Sequence, residues 1–194
     1  VQAPKTLFKS VSKMAPGSFL EIRQGTVTEQ KKYWDLANVS KREGSFEWEK
    51  ESLLNHFDKS AQRRMIADVE VGVLLSGGVD STANLGMLTR HSRKPISAFS
   101  IGFKNENGFE NEFEYARLAA KHFKADYHEL EMSYDEYLSD LKKVLRFQDM
   151  PIADTANPMI YRIAAEARKK GITVLLGGEG SDELLIGYSY WSFA

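Results

Sequence analysis

At 194 residues the chain suits one domain, or one domain with a small appendage. Its residues are 42% hydrophobic and 27% charged, as in ordinary soluble domains, and its net charge of −1 gives no reason to expect a nucleic-acid or membrane-surface partner. No apolar run reaches transmembrane length, no signal peptide is visible, and the lack of cysteine excludes disulfides, thiolate metal sites and a cysteine nucleophile from this chain.

Residues 1–36 differ in texture from the rest. Pro4, Pro16, Gly17 and Gly25 punctuate short extended stretches. Segments 18–23 and 26–34 flank a Gln24-Gly25 turn, which predicts a β-hairpin. A lone hairpin is marginal in water, so it is expected to pack on something. Residues 37–44 are polar and read as a linker. Over 46–66, Trp48, Leu53, Leu54, Phe57, Ala61 and Met65 recur at helical spacing, with Arg63 and Arg64 facing out. This pattern predicts a helix whose aromatic and methionine stripe packs in the core.

Val71, Val73, Leu74 and Leu75 form a short apolar run, the pattern of a strand buried on both faces of a parallel sheet. Ser76-Gly77-Gly78 follows at once and lets the backbone turn sharply near a ligand. Asp80, Ser81 and Thr82 then open a helix predicted to run to about Arg90. A strand, a glycine turn and a helix N-terminus make an anion site, because unpaired N–H groups point out and the helix dipole favours negative charge. Ser76 and Ser81 add hydroxyls. Asp80 would repel a phosphate unless a cation bridged them, so the pattern points to a nucleotide phosphate with a magnesium ion. A plain turn with Asp80 as N-cap is the alternative.

Residues 95–103 read as a second strand and 104–108 as a polar loop. Residues 110–123 form an amphipathic pattern with Phe113, Ala116, Ala119, Ala120 and Phe123 inward, and with Glu112 and Glu114 solvated. Residues 125–132 alternate, which predicts a third strand nearer the sheet edge with His128 on its face. The helix predicted over 134–147 turns Tyr137, Leu138, Leu141, Val144 and Leu145 inward. Residues 148–158 are a proline-bounded loop carrying Asp149 and Asp154. Thr155 and Asn157 are candidates either to touch substrate or to cap the next helix, 158–170, whose first turn suits Pro158. Gly171 ends that helix, and 172–176 is a second buried strand. It runs into Gly177-Gly178-Glu179-Gly180-Ser181-Asp182-Glu183. One acid at a helix start needs no function. Three acids within five residues, among glycines, point to one.

The string SGGVDS at 76–81 is not a Walker pattern, because no Gly-Lys-Ser/Thr follows. It resembles the PP-loop of the ATP pyrophosphatases, which cleave ATP to AMP and pyrophosphate. DVEVGVLLSGGVDST resembles the synthetase domain of the asparagine synthetase family. GGEGSDE resembles that family's SGEGSDE signature, with Gly177 for the usual serine. Residues 185–188, LIGY, are a variant of its FGGY, with Ile186 for glycine. FKSVSKMAPGSFLEI followed by KKYWDL resembles the end of the family's glutaminase domain, although a small hairpin covering a sheet edge fits the same residues.

The resemblance implies an α/β fold, a doubly wound parallel sheet of the PP-loop ATP pyrophosphatase type with a small N-terminal hairpin. It implies a glutaminase remnant over 1–36, a linker over 37–45 and the synthetase domain over 46–194. The strands at 71 and 172 would be neighbours at the point where the winding reverses. By the same resemblance Leu74, Ser76, Gly77, Gly78, Asp80, Ser81, Ile101, Gly177 and Gly178 would bind ATP, with Ile101 against the adenine. Asp80 and Asp182 would share magnesium, Glu179 would be the general base, and Asp154 and Thr155 would lie near the acceptor. The implied reaction is adenylation of aspartate, then attack by ammonia supplied by a glutaminase domain. Another carboxylate acceptor, and a non-catalytic ATP-binding module, stay open. A cytoplasmic location goes with this reading, and a homodimer stays open. The start at Val1 and the family's further helices after the second motif imply a piece of a longer protein.

Overall fold

A computed structural model of the chain describes residues 2–104, 113–151 and 154–188. The predicted loop 105–108 and the helix start 110–112, with Glu112, lie outside the described residues. The chain divides into two units, Val1–Glu49 with Asp149–Ile152, and Lys50–Gln148 with Ala153–Ala194.

The first unit holds a hairpin of β1 (Ser18–Arg23) and β2 (Thr26–Lys32), antiparallel, with an irregularity between Glu21 and Ile22. Gln24 and Gly25 both take positive φ (49° and 78°), the geometry of a two-residue turn whose twist matches the strands. β2 stops short of Trp34 because the Tyr33 and Trp34 N–H groups both donate to the Gly17 carbonyl (2.8 and 3.2 Å). At the start of the predicted linker, Leu36–Asn38 forms one 3-10 turn, capped by the Asp35 carboxylate on Ala37 N–H (3.1 Å).

α1 (Phe46–Arg64) is a helix as its pattern predicts. The expected core stripe is not continuous, however. Trp48, Leu53 and Leu54 are 44%, 56% and 46% exposed, and only Ala61 and Met65, at its C-terminal end, join the core. Helical spacing marks an apolar face but not how much of it meets a partner layer.

The second unit is an α/β sheet. In chain order come β3 (Val71–Leu74), α2 (Val79–His91), β4 (Ser97–Phe103), α3 (Phe113–Phe123), β5 (Asp126–Met132), α4 (Tyr134–Val144), α5 (Asn157–Lys169), β6 (Val174–Leu176) and α6 (Ser181–Leu185). The strands are parallel in the order β5-β4-β3-β6. Successive strands β3, β4 and β5 step one way, and β6 returns to the other side of β3. The winding therefore reverses between β3 and β6, as expected. Alternation along the strands builds two cores. Val73, Leu75 and Ala98 pack with Leu85 and Leu88 of α2 and Ala116 and Ala120 of α3. Leu74, Phe99 and Ile101 pack with Ile163 and Ala167 of α5. A parallel sheet covered on both faces needs continuous apolar strands, which is why 71–75 has no polar break.

β6 begins at Val174 rather than Ile172, because α5 ends in a Schellman turn. Gly171 takes φ +82°, and the N–H groups of Gly171 and Ile172 donate back to the carbonyls of Arg168 (3.1 Å) and Ala167 (2.9 Å). β5 lies at the sheet edge among the described residues, with His128 against the Phe99 ring (centroids 4.8 Å apart) and the Asp126 carboxylate (3.0 Å).

α4 departs from its predicted inward face. Leu138 and Leu145 are exposed, while Asp140 is 2% exposed. The reason is an ion cluster between α4 and α5. Arg162 donates to Asp140 (2.7 Å) and to Glu136 (2.7 Å), and Lys143 donates to Asp140 (2.9 Å). Ser133 and Glu136 close a capping box. The Ser133 N–H and the Arg162 guanidinium hold the Glu136 carboxyl down to about 2. Burial alone would raise Asp140, but hydrogen bonds from Lys143 and Arg162 overcome it and hold it below the usual carboxylate range.

Candidate functional site

Register fixes where the two glycine turns emerge. Val71, Gly72 and Val73 of β3 pair with Val174, Leu175 and Leu176 of β6. The next residues on each strand therefore leave the sheet side by side, at its C-terminal edge, at the reversal point where α/β sheets bind ligands.

β4 holds the first turn from behind. Leu75 N–H donates to the Phe99 carbonyl (2.8 Å), and the buried Ser100 hydroxyl donates to the Leu75 carbonyl. Gly77 takes φ +90°, and a Cβ there would sit 2.6 Å from the Ala116 nitrogen, so only glycine fits against α3. The two serines brace the loop. Their hydroxyls lie 2.9 Å apart, Ser81 Oγ accepts from Ser76 N–H (3.2 Å) and Ser76 Oγ accepts from Gly78 N–H (3.2 Å). α2 then starts at Val79 with Gly78 as its cap and no side-chain cap, so Asp80 is not the N-cap. Its first-turn N–H groups have no intrahelical acceptor and face a loop in which Ser76, Gly78 and Val79 are exposed.

The second turn carries the acids. Gly180, at φ +94°, caps the short α6. After α6, Ile186 takes φ +59°, unusual for a β-branched residue, and the Gly187 N–H donates to the Asp182 carbonyl (3.1 Å). A Cβ at Gly187 would fall on the Asp182 carboxylate. Tyr188 OH donates to Glu183 Oε1 (2.7 Å), and this bond, with backbone N–H donors at Glu183 and Gly180, holds the Glu183 carboxyl below the usual range.

Both turns line one crevice of about 240 Å³, formed by Leu74, Ser76, Asp80 and Ser81 on one side and by Gly177–Gly180, Asp182, Glu183 and Tyr188 on the other. That is below the usual size of a whole small-molecule pocket. Four acidic residues line it, and among the described residues no lysine or arginine pairs with Asp80, Glu179 or Asp182. No three metal-ligating side chains converge among the described residues. Asp80 and Asp182 still fit magnesium, which takes one or two carboxylates and fills its octahedron with water and phosphate oxygens.

Of the residues expected in the site, Leu74, Ser76, Asp80, Ser81, Gly177, Gly178, Glu179 and Asp182 line the crevice. Gly78 lies in the same turn. Gly77 shapes the turn from behind. Ile101 packs with the α5-side core. Asp154 and Thr155 do not line the crevice. Asp154 accepts from Ala156 N–H (2.9 Å), and the Thr155 carbonyl accepts from Tyr137 OH (3.1 Å). The cap of α5 is Ala156, without a side-chain bond, rather than Thr155 or Asn157. Two contributors had not been singled out. Tyr188 lies in the LIGY variant. Asn84 sits one helical turn after Asp80, and that i,i+4 spacing was its only signal in the sequence.

The family model described as asparagine synthase matches residues 52–194. The glutamine-hydrolyzing asparagine synthetase 1 of Bacillus subtilis is 33% identical over 191 residues, covering 98% of this chain and 29% of that protein. Amidase chyE of Penicillium rubens is 28% identical over 200 residues, covering 95% of this chain and 30% of that protein. The chain thus spans about three tenths of the length of these curated relatives. Among solved structures, the NH3-dependent NAD synthetase from Campylobacter jejuni aligns with 72% of this chain and 60% of its own, at 16% identity and a TM-score of 0.49.

Proposed function

The chain belongs to the asparagine synthase family, and on that premise we propose that its crevice activates a carboxylate with ATP and converts it to an amide. The observation that carries this reading is the meeting of the SGG turn and the acidic turn in one crevice, where Asp80, Glu179 and Asp182 have no lysine or arginine partner among the described residues.

In this proposal the carboxylate of aspartate attacks the α-phosphorus of ATP. A carboxyl–phosphate bond forms, and the bond from the α-phosphorus to the β-phosphate bridge breaks, releasing pyrophosphate. The exposed turn 76–78 and the first-turn N–H groups of α2 hold the phosphates by positioning and electrostatics. Asp80 and Asp182 would hold magnesium, which supplies charge neutralisation when bound. The acyl-adenylate then reacts with ammonia. The nitrogen bonds to the acyl carbon and AMP departs. Ammonium has no lone pair to attack with, so a base must take its proton. Glu179, exposed at the crevice, is suited to that role.

A related reading keeps the mechanism and changes the acceptor. It is favoured by Gly177, where the resembled signature has serine. A Cβ there would meet nothing nearer than 3.6 Å, so the glycine is not a steric necessity and leaves the crevice wider. The test is carboxylate-dependent exchange of labelled pyrophosphate into ATP, with aspartate, glutamate and a β-amino acid, beside amide formation from ammonia. Exchange with aspartate supports the first reading, and exchange with another acid alone supports the second. Glu179→Gln is expected to lose amide formation far more than exchange, because exchange reports only the adenylation half. ATP binding with no exchange for any acid would leave a nucleotide-binding module.

A further inference from the structure

The two turns need to be held at a fixed separation if carboxylates from both are to share one cation. β6 contributes only three residues to the sheet, and its last pair with β3 is Leu176 with Val73. Past that rung, the chain bearing Glu179 and Asp182 leaves the sheet. One face of α2 meets it there. Gly178 lies against Asp80, where an added Cβ would come 3.3 Å from the Asp80 Cβ. One turn further along the same face, the Asn84 side-chain amide donates to the Gly177 carbonyl. A carbonyl oxygen only accepts, so the atom facing it is the Asn84 Nδ2.

We propose that Asn84 is a positioning residue: its bond to the Gly177 carbonyl sets the distance between Asp80 on α2 and the acidic turn after β6, and so sets cation affinity in the crevice. The residue type fits the task. Asparagine reaches across the gap with a neutral donor. A lysine would bring a permanent cation among acids that lack one among the described residues, and an aspartate would set two acceptors against each other. Asn84 is not itself a lining residue of the crevice and reaches it only through the Gly177 carbonyl, so it acts through the positions of Asp80, Glu179 and Asp182. The proposal rests on the crevice being an ATP–metal site.

The experiment titrates manganese against the full chain with ATP present, following free manganese by electron paramagnetic resonance, with thermal melts alongside. Asn84→Leu keeps the size and removes the donor. It is expected to raise the half-saturating manganese concentration about tenfold, the scale of one lost hydrogen bond, with little change in Tm. Asn84→Gln restores a donor and should recover most of the affinity. An Asn84→Leu chain that binds manganese like the parent overturns the proposal. So does one that melts early and whose affinity Asn84→Gln does not recover, since that marks a role in folding alone. A parent chain that binds no manganese with ATP overturns the reading of the crevice itself, and the proposal with it.

Discussion

The molecule holds two groups of carboxylates treated in opposite ways. Between α4 and α5, Asp140 and Glu136 are joined to Arg162 and Lys143, with Lys104 3.6 Å from Glu136. In the crevice, Asp80, Glu179 and Asp182 line one cleft with no such partner among the described residues. Like charges gathered without a counterion repel, so the second arrangement is unfavourable alone. Acids with built-in cations join elements, whereas on the proposed function the acids without them are kept for a cation that comes and goes with a ligand. The α4–α5 cluster is thus an internal control for the crevice.

Replacing one charged residue in each group gives the sharpest contrast. Glu179→Gln should lower amide formation about 10²–10⁴-fold, the usual weight of a general base, and leave the melting temperature unchanged or slightly raised. Arg162→Met should do the reverse. It strands the buried Asp140 with Lys143 alone, which should cost about 2–3 kcal/mol, below the full loss of a buried pair. That corresponds to a fall in Tm of roughly 5–10 °C in thermal melts. Comparable losses of activity and stability in both variants would erase the distinction.

Gly187→Ala probes the crevice without touching its charges. The new Cβ pushes on the Asp182 carboxylate. The magnesium needed for half-maximal exchange should rise roughly three- to tenfold, the equivalent of one weakened polar contact. An unchanged requirement would remove Asp182 from the metal site.

The smallest effect is in pH. The Glu136 carboxyl, held at about 2, and the lowered Asp140 stay charged in the folded chain below the point where unfolded carboxylates protonate. Depressed values stabilise the fold fully above the ordinary carboxylate range, and that stability is lost as pH falls through it toward about 2. Chemical denaturation from pH 7 to pH 2 should therefore show stability steady near neutrality and declining below about pH 5. Arg162→Met should weaken that slope.

Much of the site was readable because its determinants are local. The run 71–75, the glycine turns at 76–78 and 177–180, and the Gln24-Gly25 hairpin each state their backbone within a few residues. The pairing of β3 with β6 was implied by the family resemblance rather than by either strand. What escaped the sequence depends on distant partners. Asn84 acts on a carbonyl 93 residues away. Asp140 carries no local signal of its burial, which depends on Arg162, 22 residues on. The α1 stripe carried the right period and still left Trp48, Leu53 and Leu54 exposed, because periodicity says nothing of what packs opposite.

The most direct test of the reserved acids is ATP binding by equilibrium dialysis, with and without magnesium, on the parent chain and on the Asp80→Asn, Asp182→Asn double variant. Carboxylates held for a metal–nucleotide pair predict binding that needs magnesium in the parent and loses that need in the double variant, where the repulsion is gone. ATP that binds the parent equally well without magnesium would contradict the assignment of these acids to a cation.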